Sequence, residues 1–208
     1  MIFEEGHLYH IYNQGNNHGR IFFSRENYLF FLKKIEQHVL PFADILAWCL
    51  MPNHFHLMVH VNRVELSVST QGTTQGLTSS QTLSSKTRTL NHSIGIMLRS
   101  YTRAINIQEK SSGALFQQQT KAICLTLNQG ITPGWFHSPG ITQINIQHPE
   151  NQYPNICFNY INFNPVKDGL VTKCEDWEFS SYPDIMGFRD GKLINRKRIE
   201  AFGLSLNR

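Results

Sequence analysis

At 208 residues, with 40% hydrophobic and 12% aromatic content, the chain has enough apolar material for the core of one domain. Its 19 Lys and Arg against 15 Asp and Glu leave a net charge of +4, which permits a polyanionic partner without demanding one. Cys49, Cys124, Cys157 and Cys174 show no paired short spacing, and no apolar run is long enough for a membrane span or a signal peptide; this argues against a disulfide framework, a zinc knuckle or a membrane protein, so a soluble cytoplasmic chain is expected.

Residues 7 to 14 mix aromatic, β-branched and polar residues before Gly15-Asn16-Asn17, which predicts a first strand. Ser24 then stands as an N-cap ahead of Tyr28, Phe31, Leu32, Ile35 and Val39 at helical spacing, with Pro41 just past the end. Residues 44 to 50 read as a buried strand, Met51-Pro52-Asn53 as a tight turn, and 54 to 61 as a returning strand. In that strand Phe55, Leu57, Val59 and Val61 share one face; His54, His56, Met58 and His60 share the other. Residues 66 to 90 turn to Ser, Thr, Gln and Gly without periodicity, which predicts a loop insertion. A helix resumes near Asn91, with Ile94, Met97, Leu98, Tyr101 and Ile105 on one side, and residues 113 to 125 give a turn and a strand. A second loop insertion covers 126 to 150, and residues 157 to 164 form a short helix that Pro165 ends or bends. Trp177, Phe179 and Tyr182 belong to a C-terminal extension packed on the rest. The order β-α-β-β-α-β-α predicts a single α+β domain over 1–208. It is a ferredoxin-like split βαβ, an antiparallel sheet with helices on one face, followed by a C-terminal helix carrying Tyr160.

Two residues apart on a strand, His54 and His56 project from the same face and could offer neighbouring nitrogens to one divalent cation. The spacing alone is weak, since most His-x-His pairs are ordinary surface or half-buried histidines. His60 shares the face but lies farther along, as a nearby polar residue. Tyr160 and Asn164 are one helical turn apart and share a face. A phenol with an ordinary pKa of about 10 is a poor nucleophile unless a metal polarises its target, and a lone helical tyrosine is ordinarily packing.

Six stretches taken together say more: YHIYNQG (9–15), LMPNHFHLMV (50–59), LRSYTRAIN (98–106), SGALFQQQTKA (112–122), YINFNPVKDGLV (160–171) and WEFSSY (177–182). In this order they resemble the insertion-sequence-200-like, REP-associated tyrosine transposases, single-tyrosine members of the HUH endonucleases. The resemblance implies that His54, His56 and Asn164 hold Mg2+ or Mn2+. It implies that Tyr160 cleaves and rejoins single-stranded or hairpin DNA through a 5′-phosphotyrosine link. Arg99, Arg103, Lys121 and Lys167 are candidates for backbone phosphates. Tyr101 is expected in the core or against DNA rather than as the nucleophile. Relatives include monomers and homodimers, and both remain open here. Two departures are Gln119, where relatives frequently carry a basic residue, and the long Ser/Thr/Gln insertion. The alternative is a domesticated or inactive DNA-binding protein on the same fold. A metal-dependent hydrolase would need a carboxylate at ligand spacing, and none stands there.

Overall fold

Every strand pairing in the sheet is antiparallel, and the reason lies in the connections. The computed structural model describes residues 1–69, 85–126 and 149–207. Along them run β1 (Leu8–Gln14), α1 (Arg25–His38), β2 (Ala43–Met51), β3 (His54–Val61), β4 (Glu65–Ser69), β5 (Ser85–Thr89), α2 (Leu90–Gln108), β6 (Lys121–Cys124), α3 (Pro149–Lys167), α4 (Tyr182–Ile185) and α5 (Arg196–Ala201). The main sheet has the order β2-β3-β1-β6. A short turn joins β2 to β3, while α1 and α2 carry the chain across, so β1 ends in the middle as a split βαβ requires.

Alternation in β3 assigns the two faces. Phe55 meets Phe31 of α1 with ring centroids 5.2 Å apart, and Phe31 meets Tyr101 of α2 at 4.8 Å. α1 and α2 pack together over this face. The start of α1 is fixed by Asn27, whose Oδ1 accepts from the backbone N–H groups of Phe23 and Ser24 at 3.0 and 3.1 Å. On the other face α3 lies against β2 and β3. Both faces are therefore covered, and even Met58 and Cys49, which share the face of the histidines, are fully buried.

The C-terminal extension covers the outer edge of β2. Leu50 N–H donates to Phe179 O at 2.8 Å, Ser181 N–H to Trp48 O at 2.8 Å, and Trp177 Nε1 to Leu50 O at 3.1 Å. An edge strand left open would expose these groups to pairing with other chains. Phe179 also stacks on Tyr28 at 3.9 Å, tying the extension back to α1.

Two expectations need correction. The insertion from 66 to 90 is not loop throughout: β4 and β5 form an antiparallel ribbon from Glu65↔Thr89 to Ser69↔Ser85, and α2 begins at Leu90. Its centre, 70–84, and residues 127–148 of the second insertion lie outside the described residues. The tyrosine helix is also longer than expected, and Pro165 does not end it. A proline lacks only its own N–H, so near a C-terminus it forfeits one bond. The helix closes beyond it, with Asp168 N–H on Asn164 O at 3.0 Å and Leu170 N–H on Pro165 O at 2.9 Å.

Candidate active site

The site lies where α3 crosses the histidine face of β3. Register places His56 opposite Tyr12 of β1 and Cys49 of β2, and His54 opposite Gln14 and Met51. The His54 and His56 rings are 4.9 Å apart, and Tyr160 stands edge-on to His56 at 5.3 Å. Asn164, one turn on, lies in hydrogen-bonding reach of both His54 and Tyr160. The four residues that the sequence singled out across more than a hundred positions are thus brought together.

Each imidazole is oriented from behind. His54 Nδ1 lies 2.7 Å from Asn53 Oδ1. An amide oxygen can only accept, so Nδ1 carries the proton and Nε2 keeps a lone pair. His56 Nδ1 lies 3.0 Å from His10 Nε2, both rings being buried. Burial holds all three imidazoles neutral: it pulls His10 down to about 4, and lowers His54 and, most strongly, His56. Neutral imidazole is the metal-binding form.

Two buried atoms of this cluster have no hydrogen-bond partner, His56 Nε2 and Asn164 Oδ1. Leaving a buried polar atom unpaired costs about 1–3 kcal/mol. In the tautomer that leaves His56 Nε2 bare, that nitrogen and the Asn164 amide oxygen, beside the lone pair of His54 Nε2, form a donor set that suits a hard-to-borderline divalent cation. Among the described residues no three of His, Cys, Asp and Glu come together as a metal site. The Asn164 amide is the further protein oxygen that could join the two histidines around a metal.

The phenol of Tyr160 is raised above its ordinary pKa by burial, with Asp168 adding to the rise and the Asn164 hydrogen bond opposing it. Lys167 lies over the Tyr160 ring at 5.3 Å, and Lys121 over that of Tyr12 at 5.8 Å. These two lysines stand on the tyrosine face. Arg99 and Arg103 stand on the opposite side of the sheet, along a cleft beside α2. Tyr101 is corrected as a DNA contact: it is fully buried and donates its hydroxyl to Ile21 O at 2.8 Å. His60, as expected, is a neighbour and not part of the cluster, held by Asn62 at 3.0 Å.

Sequence reasoning missed His10, Tyr12, Asn53 and Asp168. His10 stacks on Tyr12 at 4.8 Å and presents its edge to Tyr160 at 6.2 Å. The signal available was the alternation of YHIYNQG, which puts His10 and Tyr12 on one face of a strand. Only the pairing of β1 with β3 turns that alternation into contact with His56.

No family model and no curated protein matches this chain. A solved structure described as a REP-associated tyrosine transposase bound to a REP hairpin is similar to it over 90% of this chain and 83% of its own, with a TM-score of 0.50 and 15% identity. At that identity the likeness is one of fold. Among the described residues no helix is long and apolar enough to cross a membrane.

Proposed function

We propose that this chain is a tyrosine transposase of the REP-associated type, nicking and rejoining single-stranded or hairpin DNA. The observation that carries this reading is the pair of partnerless buried atoms, His56 Nε2 and Asn164 Oδ1, beside the Tyr160 phenol. The fold likeness to a transposase that binds a DNA hairpin supports it.

His54, His56 and Asn164 would hold Mg2+ or Mn2+, and a bound cation supplies charge that stabilises a pentacovalent phosphate. The chain's own residues do the rest. Tyr160 Oη forms a bond to phosphorus as the bond to the 3′ oxygen breaks. The phenol releases its proton and the 3′ oxygen takes one up, leaving a 5′-phosphotyrosine and a free 3′-hydroxyl. Because the phosphodiester energy stays in that link, a second 3′-hydroxyl can displace the tyrosine and rejoin DNA. Lys167 and Lys121 give the tyrosine face the positive charge that a phosphate requires. Since burial keeps the phenol protonated, activation has to accompany substrate binding.

The test is incubation of the purified protein and Mn2+ with labelled hairpin DNA, including the flanks of its own gene. A covalent protein–DNA adduct is expected from the wild type and none from Tyr160→Phe, which has no hydroxyl to attack. An adduct surviving in Tyr160→Phe, or abolished by Tyr101→Phe alone, would overturn the assignment.

A further inference from the structure

Behind the tyrosine site, on the other side of the sheet, α2 and the segment 114–120 enclose a cleft of about 850 Å³. Its basic residues are Arg99, Arg103 and Lys110, all exposed, and no acidic residue lines it. Among the described residues none of the three cations has an ion-pair partner. Three arginines elsewhere are spent on carboxylates, Arg25 on Glu178, Arg189 on Asp184 and Arg198 on Asp44, whereas the cations of this cleft stand beside no carboxylate.

The cleft is also built, with its wall fastened at both ends. Asn106 Nδ2 donates to Gly113 O at 2.9 Å, and Asn13 Nδ2 donates to Gln117 O at 3.1 Å and Thr120 Oγ1 at 2.9 Å. Asn16 N–H on Leu115 O at 2.9 Å adds a main-chain tie to the loop after β1. Gly95 has no side chain, so the Arg99 guanidinium can lie down over it: a Cβ there would come within 3.1 Å of Arg99 Nη1. Arg99 and Arg103 are four residues apart, about 6 Å along the helix axis, close to the spacing of neighbouring phosphates on an extended strand. Lys110, just past the end of α2, lines the same cleft, whose floor includes Leu98 and Phe116.

We propose that this cleft is a groove for the phosphodiester backbone of a single DNA strand, distinct from the phosphate site at Tyr160. It rests on the reading that the chain acts on DNA, and it places affinity and chemistry on opposite faces of one sheet. A strand held there adds binding that the tyrosine need not supply. Its cations all stand on the α2 side and the facing segment 114–120 carries none, so the cleft offers charge to one backbone rather than to the two of a duplex.

The experiment uses the full chain carrying Tyr160→Phe, so that no covalent link confuses the equilibrium. Fluorescence anisotropy is followed with labelled oligo-dT and with a duplex of the same length, over a salt series. The triple variant Arg99→Ala/Arg103→Ala/Lys110→Ala is compared with Lys192→Ala/Arg196→Ala/Lys197→Ala, which removes equal charge beside the β2 edge. The groove variant is expected to bind oligo-dT at least about tenfold more weakly, with a salt dependence shallower by about 2 in log–log slope. The control variant is expected to match its parent. Unchanged oligo-dT binding in the groove variant overturns the proposal, as does an equal loss for duplex and single strand. Thermal melting of each variant shows that it is folded. If the groove variant loses binding while the wild type forms no tyrosine adduct, the groove stands and the tyrosine reading fails. If the adduct forms and the groove variant binds normally, the groove alone fails.

Discussion

A single hydrogen bond decides which nitrogen of His56 carries the proton. If Nδ1 donates to His10 Nε2, then His56 Nε2 is a bare lone pair, as a metal ligand must be; in the other tautomer it is a buried N–H without an acceptor. His10 is therefore a positioning residue, acting through His56. His10→Ala is expected to weaken Mn2+ binding by about 10–100-fold in a calorimetric titration. His10→Gln, whose side-chain oxygen can accept from Nδ1, is expected to restore much of the loss. Equal Mn2+ affinity in wild type and His10→Ala would remove the role. Tyr101 shows the opposite case. Its sequence surroundings, between Arg99 and Arg103, look as suited to DNA as those of Tyr160, yet its hydroxyl is spent on the Ile21 carbonyl deep in the core.

Helices α2 and α3 carry features that ordinary helix chemistry does not favour. Gly95 sits inside α2, where glycine costs about 1 kcal/mol relative to alanine. The added methyl of Gly95→Ala meets no backbone, only the movable end of Arg99. The substitution is expected to raise stability by about 0.5–1 kcal/mol, seen as a melting midpoint a few degrees higher. A lower midpoint would mean that the helix cannot accept the methyl. In α3, Asn155 and Asn159 act as a pair of clips for the C-terminal tail. Ser205 N–H donates to Asn155 Oδ1 at 2.9 Å, Asn159 Nδ2 to Ser205 O at 2.8 Å, and Asn207 N–H to Asn159 Oδ1 at 2.8 Å. The tail thus straps the helix one residue before Tyr160. Asn162 Oδ1 accepts from Ser181 Oγ at 2.8 Å on the other side, joining α3 to the segment that covers β2.

Across the whole molecule, the docking of α3 on the sheet buries a neutral histidine cluster, and this makes stability depend on pH. His10 falls from an ordinary 6.5 to about 4 because burial disfavours its charged form. Between those values the unfolded chain binds a proton that the folded chain refuses, so stability is full above about pH 6.5 and is lost as pH falls toward 4. The shift corresponds to a loss on the order of 3 kcal/mol. Around the cluster stand His54 and His56 from β3, Tyr12 from β1, Tyr160 and Lys167 from α3, and Asp168 just past its end; Asp168, the one carboxylate among them, is exposed. Urea unfolding in the presence of a chelator should give lower stability at pH 5 than at pH 7, and His10→Gln should flatten that difference. A pH-independent wild type would contradict a neutral buried cluster.

The sequence by itself determined the strand–helix order, the alternation that sorts Phe55 from His54 and His56, and the helical spacing that joins Tyr160 to Asn164. These are local periodicities, set by the repeat of a strand or a helix turn, and they are legible in any continuous segment. It did not reveal the β4–β5 ribbon, because the alternation of Leu66 and Val68 in β4 is too short to mark a strand and β5 (SKTRT) carries no apolar residue. Tertiary structure alone decided that α3 lies across the histidine face, that His10 stands behind His56, and that Lys121 and Lys167 share a side which Arg99 and Arg103 do not. Those relations depend on strand register and helix docking between segments far apart in the chain. No local pattern encodes them, since they follow from which buried faces must cover one another.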